Sequence, residues 1–304
     1  MDERPTLMPI RRPKGPTKEQ IRRRRLVALA AIVGAIVVAV VAIVVAFPHV
    51  HHTAKKVVTT AVVAPRPFRI VFPEGFTRSQ MAVRVHDVAR IARRKSHRPV
   101  VLNKAAYERA TKSARITCFK PKAQKNLEGF LFPATYDFVG ATTSRELAAD
   151  QLEAFCENWS KVNMSYARSK NLTDYDVLII ASMIEKETIA PDERKLVAAV
   201  IYNRLHQQMP LGIDATLRYG LNIPPTQSIL ESQLQSDNPF NTRKLLGLPP
   251  TPIANPGLAS IQAAAHPAKV DYLYFVRKPD KIHHFFTSSD TAFAQYECAH
   301  GYGC

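Results

Sequence analysis

The longest apolar run covers residues 26–47, a stretch of 22 Ala, Val, Ile, Leu, Gly and Phe residues without a charge. A helix of that length crosses the roughly 30 Å hydrocarbon core of a bilayer. The run is too long for the core of a cleaved signal peptide, so a single N-terminal transmembrane helix is expected. The basic block Arg22 to Arg25 lies on its N-terminal side. By the excess of positive charge on cytoplasmic flanks, residues 1–25 form a cytoplasmic tail and the chain beyond residue 48 lies outside. Residues 48–67 read as a stalk.

A second apolar run has a different character. Val177 to Ile184 is unbroken apart from Ser182, and it stops abruptly at Glu185, Lys186 and Glu187. Helical spacing places Leu178, Ala181, Glu185 and Thr188 on one face. Glu185 is therefore expected at the exit of a buried helix, where desolvation would raise its pKa and suit it to general acid chemistry. Glu187, roughly 200° further round, is expected to point elsewhere.

Shorter patterns fill in the remainder. Phe68 to Phe72 reads as a strand, Glu74-Gly75 as a turn and Thr77 as an N-cap. Residues 79–93 read as an amphipathic helix with Met81, Val85, Val88 and Ile91 near one face. Residues 127–138 are aromatic-rich and stiffened by Pro133. Helices are expected over 144–161, capped by Ser144, and over 192–206, 258–265 and 289–298. Strands are expected over 272–276 and 283–287. From residue 209 to 257 the chain reads as loop, rich in Pro, Asn and Gly. The fold class is α+β: a transmembrane helix, a small strand–helix module over 68–115, and a mixed α+β catalytic domain over 116–304.

Composition narrows the partners. The net charge is +17, of which +6 lies in the first 25 residues. Such a chain favours an anionic neighbour: nucleic acid, anionic lipid or an anionic polymer. It contains no zinc-finger spacing, no RNP-type aromatic pattern and no P-loop, so no nucleic-acid partner is expected. The four Cys at 118, 156, 298 and 304 lie in the outer portion, where disulfides form, and allow three full pairings. Cys298 and Cys304 bracket a short tail and would close a small loop. The chain has no Cys-x-x-Cys, so neither a metal nor a cofactor is expected.

Nine motifs in order carry a resemblance. They are Leu127-Glu-Gly-Phe-Leu-Phe-Pro-x-Thr-Tyr136, Ala181-Ser-Met-Ile-Glu-Lys-Glu-Thr188, Tyr202-Asn-Arg-Leu205 and Met209-Pro-Leu-x-x-Asp-x-Thr216. Then come Asn238-x-x-Asn-Thr242, Gly247-Leu-Pro-Pro250, Asn255-Pro-Gly257, Ala264-Ala-His-Pro-Ala268 and Tyr272-Leu-Tyr-Phe-Val276. Over roughly residues 68–296 the chain resembles the endolytic murein transglycosylase (YceG-like) family, single-pass membrane enzymes that cut nascent peptidoglycan glycan strands. The resemblance implies a LysM-like module from Phe68 to about Arg94. It also implies that Glu185, first glutamate of the Glu-Lys-Glu-Thr motif, is catalytic. Ala215 replaces the family's Pro and Arg243 replaces its Tyr, which removes an aromatic platform.

The implied chemistry uses one carboxylate where a hydrolase uses two. Glu185 protonates the oxygen between N-acetylmuramic acid and N-acetylglucosamine. It then takes the proton of the muramyl C6 hydroxyl, which closes on C1 as a 1,6-anhydro end. Asp214, Thr216, Asn238, Asn241, Thr242 and His284 are candidates to hold sugar groups, and Tyr136 to stack on a ring. Glu128 reads as structural. The implied partners are glycan strands, the inner membrane and cell-wall synthases. Two rival readings remain open: an inactive glycan-binding scaffold, and a hydrolase with Asp214 or Glu187 as base.

Overall fold

The computed structural model describes residues 18–46, 67–119 and 126–303. The chain divides into two units, Met1–Val63 and Ala64–Cys304. In the first, α1 (Lys18–Ala46) is a 29-residue helix. Its described apolar side chains, among them Leu26, Ile32 and Val38, are exposed. Among the described residues no helix is long and apolar enough to cross a membrane. The side chains of 40–46, and residue 47, complete the expected span and lie outside the described residues. The tail 1–17 and most of the stalk lie outside them too.

The second unit is a mixed α+β structure, mostly helical, with two antiparallel two-stranded sheets. Strand β1 (Phe68–Val71) leads to α2 (Arg78–Ser96) through the turn at Glu74-Gly75. Thr77 caps α2 as expected, in a reciprocal box with Gln80. The buried stripe is Met81, Ala82, Val85, Ala89 and Ala92, whereas Ile91 is exposed. The expectation had favoured bulky residues. Helix α3 (Lys104–Ala110) packs against α2. Strand β1 then pairs with β2 (Thr135–Phe138), Phe68 opposite Phe138 and Val71 opposite Thr135. That pairing joins the span 68–115 to the span 116–304, and one hydrophobic core runs through both.

Helix α4 (Ser144–Trp159) is capped by Thr143 rather than Ser144. Ser144 is buried and its hydroxyl donates to the Asn103 carbonyl. Phe155 and Trp159 of α4 meet Phe119 and Phe130 in an aromatic cluster. Beside it Cys118 bonds to Cys156, and Cys298 is also disulfide-bonded.

The short α5 (Ser165–Ser169) precedes α6 (Asp174–Glu187), which begins at a Thr173–Asp176 capping box. All eight residues from Val177 to Ile184 are buried. Helix α6 packs against α7 (Arg194–His206), α8 (Asp214–Leu221) and α10 (Leu258–Ala265). Alanines at 263, 264 and 265 bring α10 close. A short turn of 3-10 helix, Pro191–Glu193, precedes α7. Helix α8 and the short α9 (Glu231–Leu234) occupy a region expected to be loop. The chain closes with β3 (Tyr274–Arg277) paired to β4 (His284–Thr287), then α11 (Asp290–Ala299).

The Tyr202-Asn-Arg motif is the clamp of this end. The Tyr202 hydroxyl donates to the Ala264 carbonyl at 2.6 Å. The Asn203 amide donates to the carbonyls of Val270 and Tyr272, and the Arg204 guanidinium to those of Leu273, Pro210 and Leu211.

Candidate active site

Glu185 stands where α6 leaves the core. Leu178 and Ala181 behind it are fully buried, while Glu185 itself is half-buried. It is therefore more open to solvent than the apolar run suggested, because it lies on the last turn of the helix. The segment 251–257 runs alongside. Ile253 N–H donates to Ser182 Oγ at 3.0 Å, and Gly257 N–H donates to Glu185 Oε2 at 2.9 Å. Ser182 and Glu185 thus hold one strap of chain from one face of α6. Gly257 is the N-cap of α10, so the Glu185 carboxylate meets the end of a helix whose dipole favours negative charge.

The turn after β1 covers the other side. A Cβ at Gly75 would sit 3.5 Å from Glu185 Cγ. Gly75 has φ +75, which favours glycine. Gly75 N–H donates to the Asn255 carbonyl, and Asn255 N–H donates to the Phe76 carbonyl. Lys186 Nζ donates to the Gly75 carbonyl at 3.3 Å. Glu74 lies against Gly257: a Cβ there would come within 1.8 Å of Glu74 Oε1.

Beneath this turn lies Glu128, 4% exposed. It accepts from Arg78 N–H (2.9 Å), Asn255 Nδ2 (2.9 Å) and the Tyr219 hydroxyl (3.1 Å). Burial pushes its pKa up to about 7 from 4.5, against the pull of those donors and Arg78. Between those two values the folded chain holds a proton that the unfolded chain has released. Stability is thus greatest below the lower value and falls as pH rises through the window. For a fully buried group the loss is on the order of 3 kcal/mol. Denaturant midpoints at about pH 5 and about pH 8 should show a shallower decline in Glu128→Gln than in the native chain. Equal declines would remove Glu128 as the cause.

Glu187 does point elsewhere. Burial pushes its pKa up to about 7, with Arg277 opposing, Asp214 reinforcing, and Ala215 N–H and Arg243 opposing. Asp214 is half-exposed and pairs with Arg243. Arg243, standing where the family has an aromatic residue, is thus an ionic partner for that carboxylate.

The other expected sugar-holding residues are engaged inside the protein. Thr216 and Thr242 are buried with their hydroxyls 2.9 Å apart, and Thr242 accepts from Ile213 N–H. Asn241 is buried, and its amide donates to the carbonyls of Leu234 and Ser236. Asn238 accepts from Phe240 N–H and donates to the Gly220 carbonyl. His284 is buried, with Nδ1 2.6 Å from Glu193 Oε2 and its main-chain N–H on Glu193 Oε1. The Tyr136 hydroxyl donates to the Phe132 carbonyl, and its ring lies 6.0 Å from that of Phe72. These contacts give each residue a place in the scaffold.

What surrounds Glu185 is Glu74, Gly75 and Gly257, with Asn255 fixing the turn. Glu74 had been read only as part of a turn. No spacing signal links it to Glu185, which lies on a distant element. The Asn255-Pro-Gly257 motif was the one visible pointer.

A mostly helical α+β unit with two small two-stranded sheets is a fold with known counterparts. The chain belongs to the YceG-like family, whose profile matches residues 49–297. It is 33% identical over 215 residues to a Bacillus subtilis protein named endolytic murein transglycosylase, covering 69% of this chain and 59% of that one. A Streptococcus pneumoniae protein of the same name is 33% identical over 222 residues, covering 68% of this chain and 40% of that one. The matched region thus spans less than two thirds of either relative. The crystal structure of a YceG-like protein from Listeria monocytogenes superposes with a TM-score of 0.64 at 30% identity, covering 75% of each chain.

Proposed function

We propose that this protein is an endolytic lytic transglycosylase of peptidoglycan, with Glu185 as its acid and base. The observation that carries the reading is the placement of Glu185: half-buried at the exit of α6, with one carboxylate oxygen fixed by Gly257 N–H. The names of the relatives supply the substrate class.

A carboxyl group so held delivers a proton to the glycosidic oxygen between N-acetylmuramic acid and N-acetylglucosamine. The C1–O bond breaks, and the sugar's N-acetyl group supports the electron-poor C1. The carboxylate then removes the proton of the muramyl C6 hydroxyl as its oxygen bonds to C1. Water must be kept from C1 for this outcome to win.

The run 26–47 anchors the protein in the cell membrane, with the basic tail in the cytoplasm and the catalytic unit outside. Nascent strands leaving a cell-wall synthase would meet it there. A tag placed before residue 18 should resist external protease in intact spheroplasts; digestion there would reverse the orientation.

The test of the activity is mass spectrometry of uncrosslinked glycan strands incubated with the full chain in detergent. Internal cuts that leave 1,6-anhydro ends are expected. Products gaining water would make the protein a hydrolase, and intact strands would make it a binding scaffold.

A further inference from the structure

We propose that Glu74 is a positioning residue for the reaction assigned to Glu185: the two carboxylates, set against Gly257, form an interacting pair that keeps one proton at the site. This rests on the transglycosylase reading and adds a second acid group to it.

The geometry has three parts. First, the backbone beneath Glu74 is fixed. Gly75 is buried and bonded through N–H to the Asn255 carbonyl, and Phe76 accepts from Asn255 N–H in return. Secondly, Glu74 occupies the space that a side chain at 257 would fill, with Oε1 1.8 Å and Cδ 2.2 Å from that Cβ position. Thirdly, Gly257 is the residue whose N–H is bonded to Glu185 Oε2. One glycine thus carries a carboxylate on its N–H and another on its Cα. The outer side of Glu74 remains exposed, so a substrate can approach the pair.

The groups facing Glu74 are few. Helix α6 presents Glu185, and Lys186, whose ammonium is bonded to the Gly75 carbonyl. The start of α7 presents Arg194, and α10 presents the Gly257 backbone. Behind Asn255 lie Arg78 and Glu128, already bonded to one another. Partial burial and the charge of Glu185 both raise the Glu74 pKa, while Arg194 lowers it. Two such carboxylates do not shed both protons independently; the second proton is retained to higher pH.

In the reaction Glu185 gives the proton held by the pair to the glycosidic oxygen as the C1–O bond breaks. The C6 oxygen bonds to C1, and the C6 hydroxyl proton returns to Glu185. The net proton count of the pair is unchanged. The role of Glu74 is to discourage ionisation of the pair at the pH where an acid is needed.

Two measurements on the full chain in detergent micelles test this. The first is carbon-13 carboxyl NMR of glutamate-labelled protein, with Glu74→Gln used to assign the Glu74 signal. Glu74 should titrate above the ordinary glutamate range and move down by about half a unit or more in Glu185→Gln. The second is the pH profile of glycan cleavage by Glu74→Gln. Its alkaline limb should move to lower pH by about one unit, with KM within about twofold of the native value. An unmoved Glu74 titration in Glu185→Gln overturns the pair. So does a Glu74→Gln profile lowered equally at every pH, which would mark a purely structural role. If the native protein makes no cuts, the functional reading fails while the titration still decides the pair.

Discussion

Glu185→Gln is expected to lower glycan cleavage by about 10²–10⁴-fold, the usual contribution of a general acid and base, with little change in melting temperature. The substitution is nearly isosteric. The Gln carbonyl still accepts from Gly257 N–H, so the α10 junction keeps its bond. The side chain is half-buried and makes no ion pair among the described residues, so folding loses little. What disappears is the ability to give and retake a proton. Counting anhydro ends against time for both proteins measures this directly. Undiminished cleavage by the variant would falsify the assignment and move the proton donor to Glu74 or Glu187.

Asn255→Ala is expected to be the most damaging change to stability outside the apolar core. The Asn255 Oδ1 accepts from Leu131 N–H at 2.9 Å, and its Nδ2 donates to the Phe76 carbonyl and to Glu128 Oε1, both at 2.9 Å. The residue is fully buried. Truncation leaves the buried Leu131 N–H unpaired, leaves the Phe76 carbonyl with only the Asn255 main-chain N–H, and takes one donor from a buried carboxyl. Each such loss costs about 1–3 kcal/mol, so a total of about 3 kcal/mol or more is expected. For a unit of this size that lowers the melting temperature by about 6–12 °C. A fall of less than about 2 °C would mean that water replaces the lost groups. The same change loosens the Gly75 turn beside Glu185, so kcat should fall along with stability.

Much of the framework is legible in the sequence for identifiable reasons. Helix α6 declares itself because a Thr-x-x-Asp box opens onto eight buried residues. Helix α10 is bounded by Gly257 and Pro267, and the turn between the strands of the C-terminal hairpin carries Pro279-Asp280. Helix α8 is not legible. Its N-cap is Ile213 with no side-chain bond, and its start is held instead by buried Thr242, nearly thirty residues away. No local rule reports a cap supplied from so far off.

The site divides in the same way. Glu185 is visible because a charge interrupts an apolar helix, a one-dimensional signal. Its neighbours are visible only in three dimensions, since Glu74 and Gly257 lie far along the chain from Glu185 and from each other. Polar residues in Pro-rich loops look like ligand-holding groups, yet Thr216 and Thr242 bond to each other and Asn241 to the carbonyls of Leu234 and Ser236. In so compact a loop region, main-chain groups without sheet or helix partners need side-chain partners, and these residues supply them.

Gly257 has an ordinary extended backbone, φ −77 and ψ 168, which any amino acid could adopt. A Cβ there would meet only the carboxylate end of Glu74, whose side chain is exposed and flexible. A larger residue at 257 would therefore fit by swinging Glu74 aside, and the cost would appear at the Glu185 carboxylate rather than in folding. Gly257→Ala would thus separate the two acids without touching either of them.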